Sequence, residues 1–326
     1  MSSAPDIVDS LSEAVRALRA GDRRVLSRML SALEDGNELS QRLMALVRAQ
    51  PGHARAPVLA LTGPPGVGKS TLATALAAAA IESGYAVAVL AVDPSSPITG
   101  GAVLGDRVRM SGRLNDQIFF RSFANRGVVG GLARVIPAAV ELVSAAGYSL
   151  VFIETVGVGQ SEIDVHTQAD VTVVVLAPHM GDEIQAAKAG LLEVADVLLV
   201  NKCDLPDAGR TLQQMRASVA MRHTGEQRAI VLKVAAATGE NIAEAWESIA
   251  QLLTNSTRTE DEERERARQA ALADVALEVS ELVRSASGSS TLEAESILGQ
   301  LLDGRLDHVQ AVARIEQLLT RDPEGR

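Results

Sequence analysis

Gly63-Pro64-Pro65-Gly66-Val67-Gly68-Lys69-Ser70 fills every position of G-x-x-x-x-G-K-[ST], the phosphate-binding loop. Its flanks are what that loop needs. Val58–Thr62 is a short apolar run, and Thr71-Leu72-Ala73-Thr74-Ala75-Leu76-Ala77 is a strong helix former. Strand, glycine turn and helix N-terminus together aim backbone N–H groups at a polyphosphate. The glycines keep side chains out of the curl. In this setting Lys69 neutralises β- and γ-phosphate charge and Ser70 offers its hydroxyl to Mg2+. Residues Gly63 to Thr71 are the expected phosphate contacts.

The rest of the composition narrows the class. A chain of 326 residues holds one large domain with appendages, or two domains. Hydrophobic residues at 47% suffice for a sizeable core, while 2% aromatics exclude a base-stacking platform for single-stranded nucleic acid. A net charge of −10 argues against nucleic acid or an anionic membrane as partner. The one cysteine, Cys203, rules out an intrachain disulfide framework and fits a reducing cytosol. The start MSSAPDIVDS lacks the basic and apolar regions of a signal peptide, and no apolar run is long enough to span a bilayer. A cytoplasmic protein is expected. Only four of the 31 basic residues are lysines: Lys69, Lys188, Lys202 and Lys233. Arginine serves the surface, so the lysines are candidates for jobs that need a compact ammonium.

Three segments are expected: 1–52, 53–256 and 257–326. In the first, Ile7, Leu11, Val15 and Leu18 share a helical face; Val25, Leu26, Met29, Leu30 and Leu33 form a second stripe, and Leu39, Leu43 and Val47 a third. Such stripes must bury against something, and the nucleotide domain is the available surface. From residue 57 strands and helices alternate. Strands are expected at 58–62, 86–92, 117–121, 149–153, 171–176, 197–200 and 229–234, with helices at 69–83, 133–146, 183–194 and 241–253. Continuous apolar strands joined by helices mean a mostly parallel sheet covered on both faces, with ligands at the strand C-termini. After Thr254 a charged run and further amphipathic helices follow. That tail is either a dimerisation arm or a segment packed on its own domain.

Asn201-Lys202-Cys203-Asp204 follows the strand 197–200. N-K-x-D at a strand end reads guanine: the Asp204 carboxylate accepts from N1–H and the 2-amino group, a pair that adenine lacks. Lys202 covers the base and braces the phosphate loop, and Asn201 ties neighbouring loops. The remaining base contact is a backbone N–H to guanine O6, expected from Ala235, Ala236 or Ala237, although Ala235 stands where a serine is usual. The ligand set is therefore GTP/GDP with Mg2+.

Glu154 closes the strand Leu150–Ile153 and is followed by Thr155-Val156-Gly157. A carboxylate there reaches Mg2+ directly or through water, and Gly157 approaches the γ-phosphate by its N–H. Gln160 is either a water-orienting residue or a polar surface residue. Asp93 and Asp106 are two further carboxylates flanking a glycine-rich segment, of which Mg2+ needs only one or two.

AVDPSSPITGGAVLGDRVRM, IETVGVGQSEIDV and NKCD together closely resemble the MeaB/ArgK-type (MMAA-like) GTPases, over most of residues 58–250. The resemblance implies a P-loop NTPase fold of the SIMIBI class with an N-terminal helical region and a C-terminal helical arm. It implies a homodimeric GTPase and metallochaperone that serves an adenosylcobalamin-dependent acyl-CoA mutase of the methylmalonyl-CoA mutase type. Such a protein gates cobalamin loading and protects or reactivates the mutase. It also implies Lys69, Ser70, Asp93, Asp106 and Glu154 at the phosphate and Mg2+ site, and a switch loop in which Asp182, Glu183, Gln185 and Lys188 respond to nucleotide and mutase. Two features depart from the family: Ala235, and a tail without aromatic residues. A nickel- or other metal-insertion GTPase is the alternative in the same superclass, but Cys203 and the five histidines show no ligand spacing. A transport-linked ATPase or kinase would prefer ATP, against which N-K-C-D argues.

Overall fold

A computed structural model describes residues 4–35, 38–50, 55–94, 117–125, 131–155, 168–178, 192–222, 229–255 and 314. Seven strands form one sheet: β1 (Val58–Thr62), β2 (Val87–Pro94), β3 (Ile118–Asn125), β4 (Leu150–Thr155), β5 (Val171–Leu176), β6 (Val197–Val200) and β7 (Ile230–Lys233). Their order is β3-β2-β4-β1-β5-β6-β7, and every pairing is parallel. β1, β4 and β5 are buried at every residue, as strands covered on both faces must be. This is the P-loop NTPase fold. β1 lies at the centre, so the loop that follows it emerges where strand order reverses, the place where open α/β sheets bind ligands.

Strand alternation divides the core. Leu59, Leu61, Val89, Phe152, Val173 and Leu199 face α4 (Lys69–Glu82) and the last described helix, α7 (Ile242–Asn255). Val58, Ala60, Leu90, Val151 and Ile153 face the opposite side, against α5 (Gly131–Ala145). The stripes of α1 (Ala4–Arg19), α2 (Arg23–Asp35) and α3 (Glu38–Arg48) join that second cluster, with Leu18, Leu26, Leu30 and Val47 almost wholly buried. The N-terminal helices thus bury their stripes on the nucleotide domain. Polar ties reinforce the contact. Arg48 makes a two-pronged ion pair with Glu141 of α5 at 2.7 and 2.9 Å, and Arg121 of β3 pairs with Glu34 of α2. Asp22 caps α2 by accepting from the N–H groups of Arg24 and Val25 at 2.8 and 3.0 Å. Those bonds, Val25 first, hold its carboxyl below the ordinary 3.8.

The sequence pattern and the structure differ in places. β3 runs on to Asn125, and β4 takes in Glu154 and Thr155. α6 (Ala208–Arg222) has no counterpart in the expected elements. Its inward face is Ala208, Thr211, Met215 and Val219, a stripe that includes only two large apolar residues among arginines and glutamines. It packs Met215 and Val219 on Leu198, Val200 and Val231. Most of the helix expected over 183–194 lies outside the described residues; its end, Leu192–Val194, is a turn. Met1–Ser256 clusters as one compact unit and Thr257–Arg326 as another, in which only Arg314 is described.

Candidate nucleotide site

The phosphate loop is built on three glycines at positive φ: Gly63 at 141°, Gly66 at 77° and Gly68 at 92°. Gly63 sits against the neighbouring strand so closely that a Cβ would lie 2.2 Å from the Val175 carbonyl oxygen. Gly68 is the N-cap of α4, and no side chain caps that helix. First-turn N–H groups left without a side-chain cap are the donors an anion uses. Lys69 is buried, and its Nζ donates to the carbonyls of Gly63 at 2.5 Å and Pro64 at 2.9 Å. The ammonium is therefore held inside the curl, where a phosphate would supply a counter-charge in place of carbonyl dipoles.

Ser70 Oγ donates to Glu154 Oε1 at 2.6 Å. Glu154 is only 2% exposed and its backbone is in register with Leu61 on one side and Ala91 on the other. Asp93 stands two residues beyond Ala91 on β2, the same alternation as Glu154 at the same end of the sheet; its side chain is outside the described part. Asp106, Gly157, Gln160, Asp182, Glu183, Gln185 and Lys188 also lie outside the described residues. The Ser70–Glu154 pair fits Mg2+, a hard cation that takes one or two protein oxygens and fills its shell with water and phosphate. Among the described residues no group of three or more His, Cys, Asp or Glu could hold a metal ion.

The Asn201–Asp204 turn is joined directly to this loop. Asn201, 2% exposed, directly follows β6 and donates its backbone N–H to the carbonyl of Leu176, the last residue of β5, at 2.7 Å. Its Nδ2 donates to the Val67 carbonyl at 2.8 Å, and its Oδ1 accepts from the Ala236 N–H at 3.0 Å. Lys202, at φ 59°, sends Nζ to the Gly66 carbonyl at 2.7 Å. Asp204 follows, exposed at the turn. Of the three candidate amides, Ala235 is fully buried and donates to Glu240 at 3.0 Å, while Ala236 is engaged by Asn201. The Ala237 N–H has no partner among the described residues, and the residue is exposed. Loops from the C-terminal ends of β1, β6 and β7, with Glu154 at the end of β4, thus bring Lys69, Ser70, Glu154, Asn201, Lys202, Asp204 and Ala237 to one end of the sheet.

One contact is absent from the sequence pattern. Burial and then the Glu240 carboxylate, by charge and hydrogen bond, push the Cys203 thiol above its ordinary 9.0. The Cys203 N–H also donates to Val234 at 2.9 Å. No spacing motif marks Glu240, because its partner is on another loop.

A family model described as methylmalonyl-CoA mutase-associated GTPase MeaB matches residues 24–290. GTPase ArgK of Escherichia coli K12 is 35% identical over 258 residues, 76% of this chain and 77% of its own. The mouse mitochondrial methylmalonic aciduria type A homolog is 37% identical over 221 residues, 65% of this chain and 53% of its own. A crystal structure of an LAO/AO transport system kinase superposes with TM-score 0.69 at 25% identity, covering 98% of this chain and 99% of that one.

Proposed function

Because the chain belongs to the MeaB family of methylmalonyl-CoA mutase-associated GTPases, we propose that its GTP cycle serves an adenosylcobalamin-dependent acyl-CoA mutase. The proposed work is to gate cofactor loading and to protect or reactivate that mutase. One observation carries the reading. The family match runs unbroken from the N-terminal helices through the phosphate loop and the reader, over residues 24–290. The transport-kinase name of the similar structure would call for ATP, whereas an exposed Asp204 and an open Ala237 N–H suit guanine.

Within this reading the residues divide the work. The first-turn N–H groups of α4 bind the phosphates, and Lys69 leaves its two carbonyl partners to meet β- and γ-oxygens. Ser70 and Glu154, with Asp93 and Asp106, would hold Mg2+, which when bound offsets charge developing on the transferred phosphoryl group. Gln160 orients the attacking water. Gly157 and the segment carrying Asp182, Glu183, Gln185 and Lys188 register loss of the γ-phosphate and pass it to the mutase. Residues 257–326 supply a homodimer contact, and the protein works in the cytoplasm.

The test is to mix the purified chain with a purified methylmalonyl-CoA-type mutase and follow GTP turnover and co-elution. Faster turnover, with co-elution that depends on the bound nucleotide, supports the role. Unchanged turnover and separate elution in GDP, a GTP analogue and no nucleotide would remove it.

A further inference from the structure

Two hydroxyls beside the phosphate loop are buried and poorly served. Thr62, the last residue of β1, is 3% exposed, and its Oγ1 has no hydrogen-bond partner among the described residues. Thr155, the last residue of β4, is as deeply buried; its hydroxyl donates to the Leu61 carbonyl at 3.4 Å, long for an O–H donor. A buried hydroxyl left unserved costs free energy that a valine of nearly the same shape would not. The two side chains are neighbours. β1 and β4 run parallel with Leu61 opposite Glu154, so Thr62 and Thr155 come next in step. By alternation Thr62 shares a face with Val58 and Ala60, and Thr155 with Val151 and Ile153, the α5 side in both cases. Adjacent strands stand about 4.8 Å apart, so a turn about χ1 brings one hydroxyl to the other. Each threonine is also one residue from a group whose donor the ligand would claim. The Gly63 carbonyl accepts from Lys69 Nζ at 2.5 Å, and Glu154 accepts from Ser70 Oγ at 2.6 Å. A bound nucleotide draws Lys69 to its phosphates and Ser70 to its Mg2+.

We propose that Thr62 and Thr155 are positioning residues that couple the phosphate loop to the end of β4: when nucleotide binds, the Thr155 hydroxyl turns from the Leu61 carbonyl onto Thr62 Oγ1. The inference rests on the nucleotide reading of the loop and adds two residues that contact no part of the ligand. In the empty site Lys69 and Ser70 hold Gly63 and Glu154 in place, and Thr62 goes without a partner. With both donors drawn to the ligand, the two strand ends reseat and the hydroxyls meet, one as donor and one as acceptor. The free energy that the empty chain forgoes at Thr62 is recovered on binding, so it adds to nucleotide affinity.

Calorimetry with GDP and Mg2+, paired with urea unfolding of the nucleotide-free chain, tests this. Thr62→Val should make the empty chain more stable, its unfolding constant falling about fivefold or more, and yet weaken GDP about three- to tenfold. Opposite signs in stability and affinity are what a residue that only packs would not give. Thr155→Val should weaken GDP by a similar factor, and the double variant should be no weaker than the weaker single, because both remove the same bond. Thr62→Ser keeps the hydroxyl, so its affinity should stay within about twofold of wild type. An empty Thr62→Val chain less stable than wild type, unchanged GDP affinity in that variant, or losses that add in the double variant would each overturn the inference. Wild-type chain that binds no GDP would instead remove the nucleotide reading, and the coupling with it.

Discussion

The three loop glycines have unlike surroundings, and alanine at each should cost a different amount. At Gly66 an added Cβ meets nothing within 4 Å, so only the left-handed backbone opposes it. That is about 1–2 kcal/mol. At Gly68 the Cβ would lie 2.7 Å from Asn201 Nδ2. The amide can move, but only by releasing its bond to Val67, which raises the total to about 2–3 kcal/mol. At Gly63 the obstruction is backbone on β5, with the Val175 oxygen at 2.2 Å and its carbon at 3.1 Å, and φ of 141° lies beyond the usual left-handed region. Strain and overlap together come to about 3–5 kcal/mol, a large share of the 5–15 kcal/mol typical of a domain. Denaturant titration can follow all three by the emission of the single tryptophan, Trp246. It reports the right place: Trp246 Nε1 donates to Ser83 Oγ at 2.8 Å, at the end of the helix that the loop begins. The expected order of stability is Gly66→Ala above Gly68→Ala above Gly63→Ala. A Gly63→Ala chain as stable as Gly66→Ala would refute the argument from the β5 carbonyl.

Three further outcomes are expected. Lys69→Ala should weaken GDP at least about 100-fold by calorimetry, because a buried charge-assisted contact is lost, while far-UV circular dichroism stays native. Glu154→Gln keeps an oxygen to accept from Ser70, so its unfolding midpoint should match wild type while Mg2+-dependent phosphate release falls about 100-fold; turnover at the wild-type rate would take Glu154 out of the chemistry. Asp22→Ala should be less stable at neutral pH by urea titration. Since folding lowers the Asp22 pKa, its contribution is complete above 3.8 and disappears as pH falls through the lower folded value, so wild type and variant should converge in acid.

What could be read from the chain was what is written contiguously. Gly63 to Ser70 and Asn201 to Asp204 each hold their chemistry within a few residues of a strand end, so motif and apolar run together placed them. The stripes of α1–α3 were equally plain, but a stripe names no partner, and α5 and β3 as their surface came only with the fold. α6 escaped because a helix on the sheet's outer part is anchored by few apolar residues, Met215 and Val219 with a partly buried Leu212. Glu240 and the distinction between Ala235, Ala236 and Ala237 depend on which amide another loop has already engaged. That information exists only in three dimensions.

The docking of the N-terminal helices has a consequence for synthesis. Arg48 and Glu141 are 93 residues apart, and Arg121 and Glu34 are 87 apart. The helices leave the ribosome long before β3 and α5 exist to receive them, and at 5–20 residues per second that interval is about 5–20 seconds. For that time Leu18, Leu26 and Leu30 have no native partner beyond their own short helices. The three helices are thus made well before the surface they settle on, and a ribosome-associated chaperone would find its natural client there rather than in the nucleotide loop.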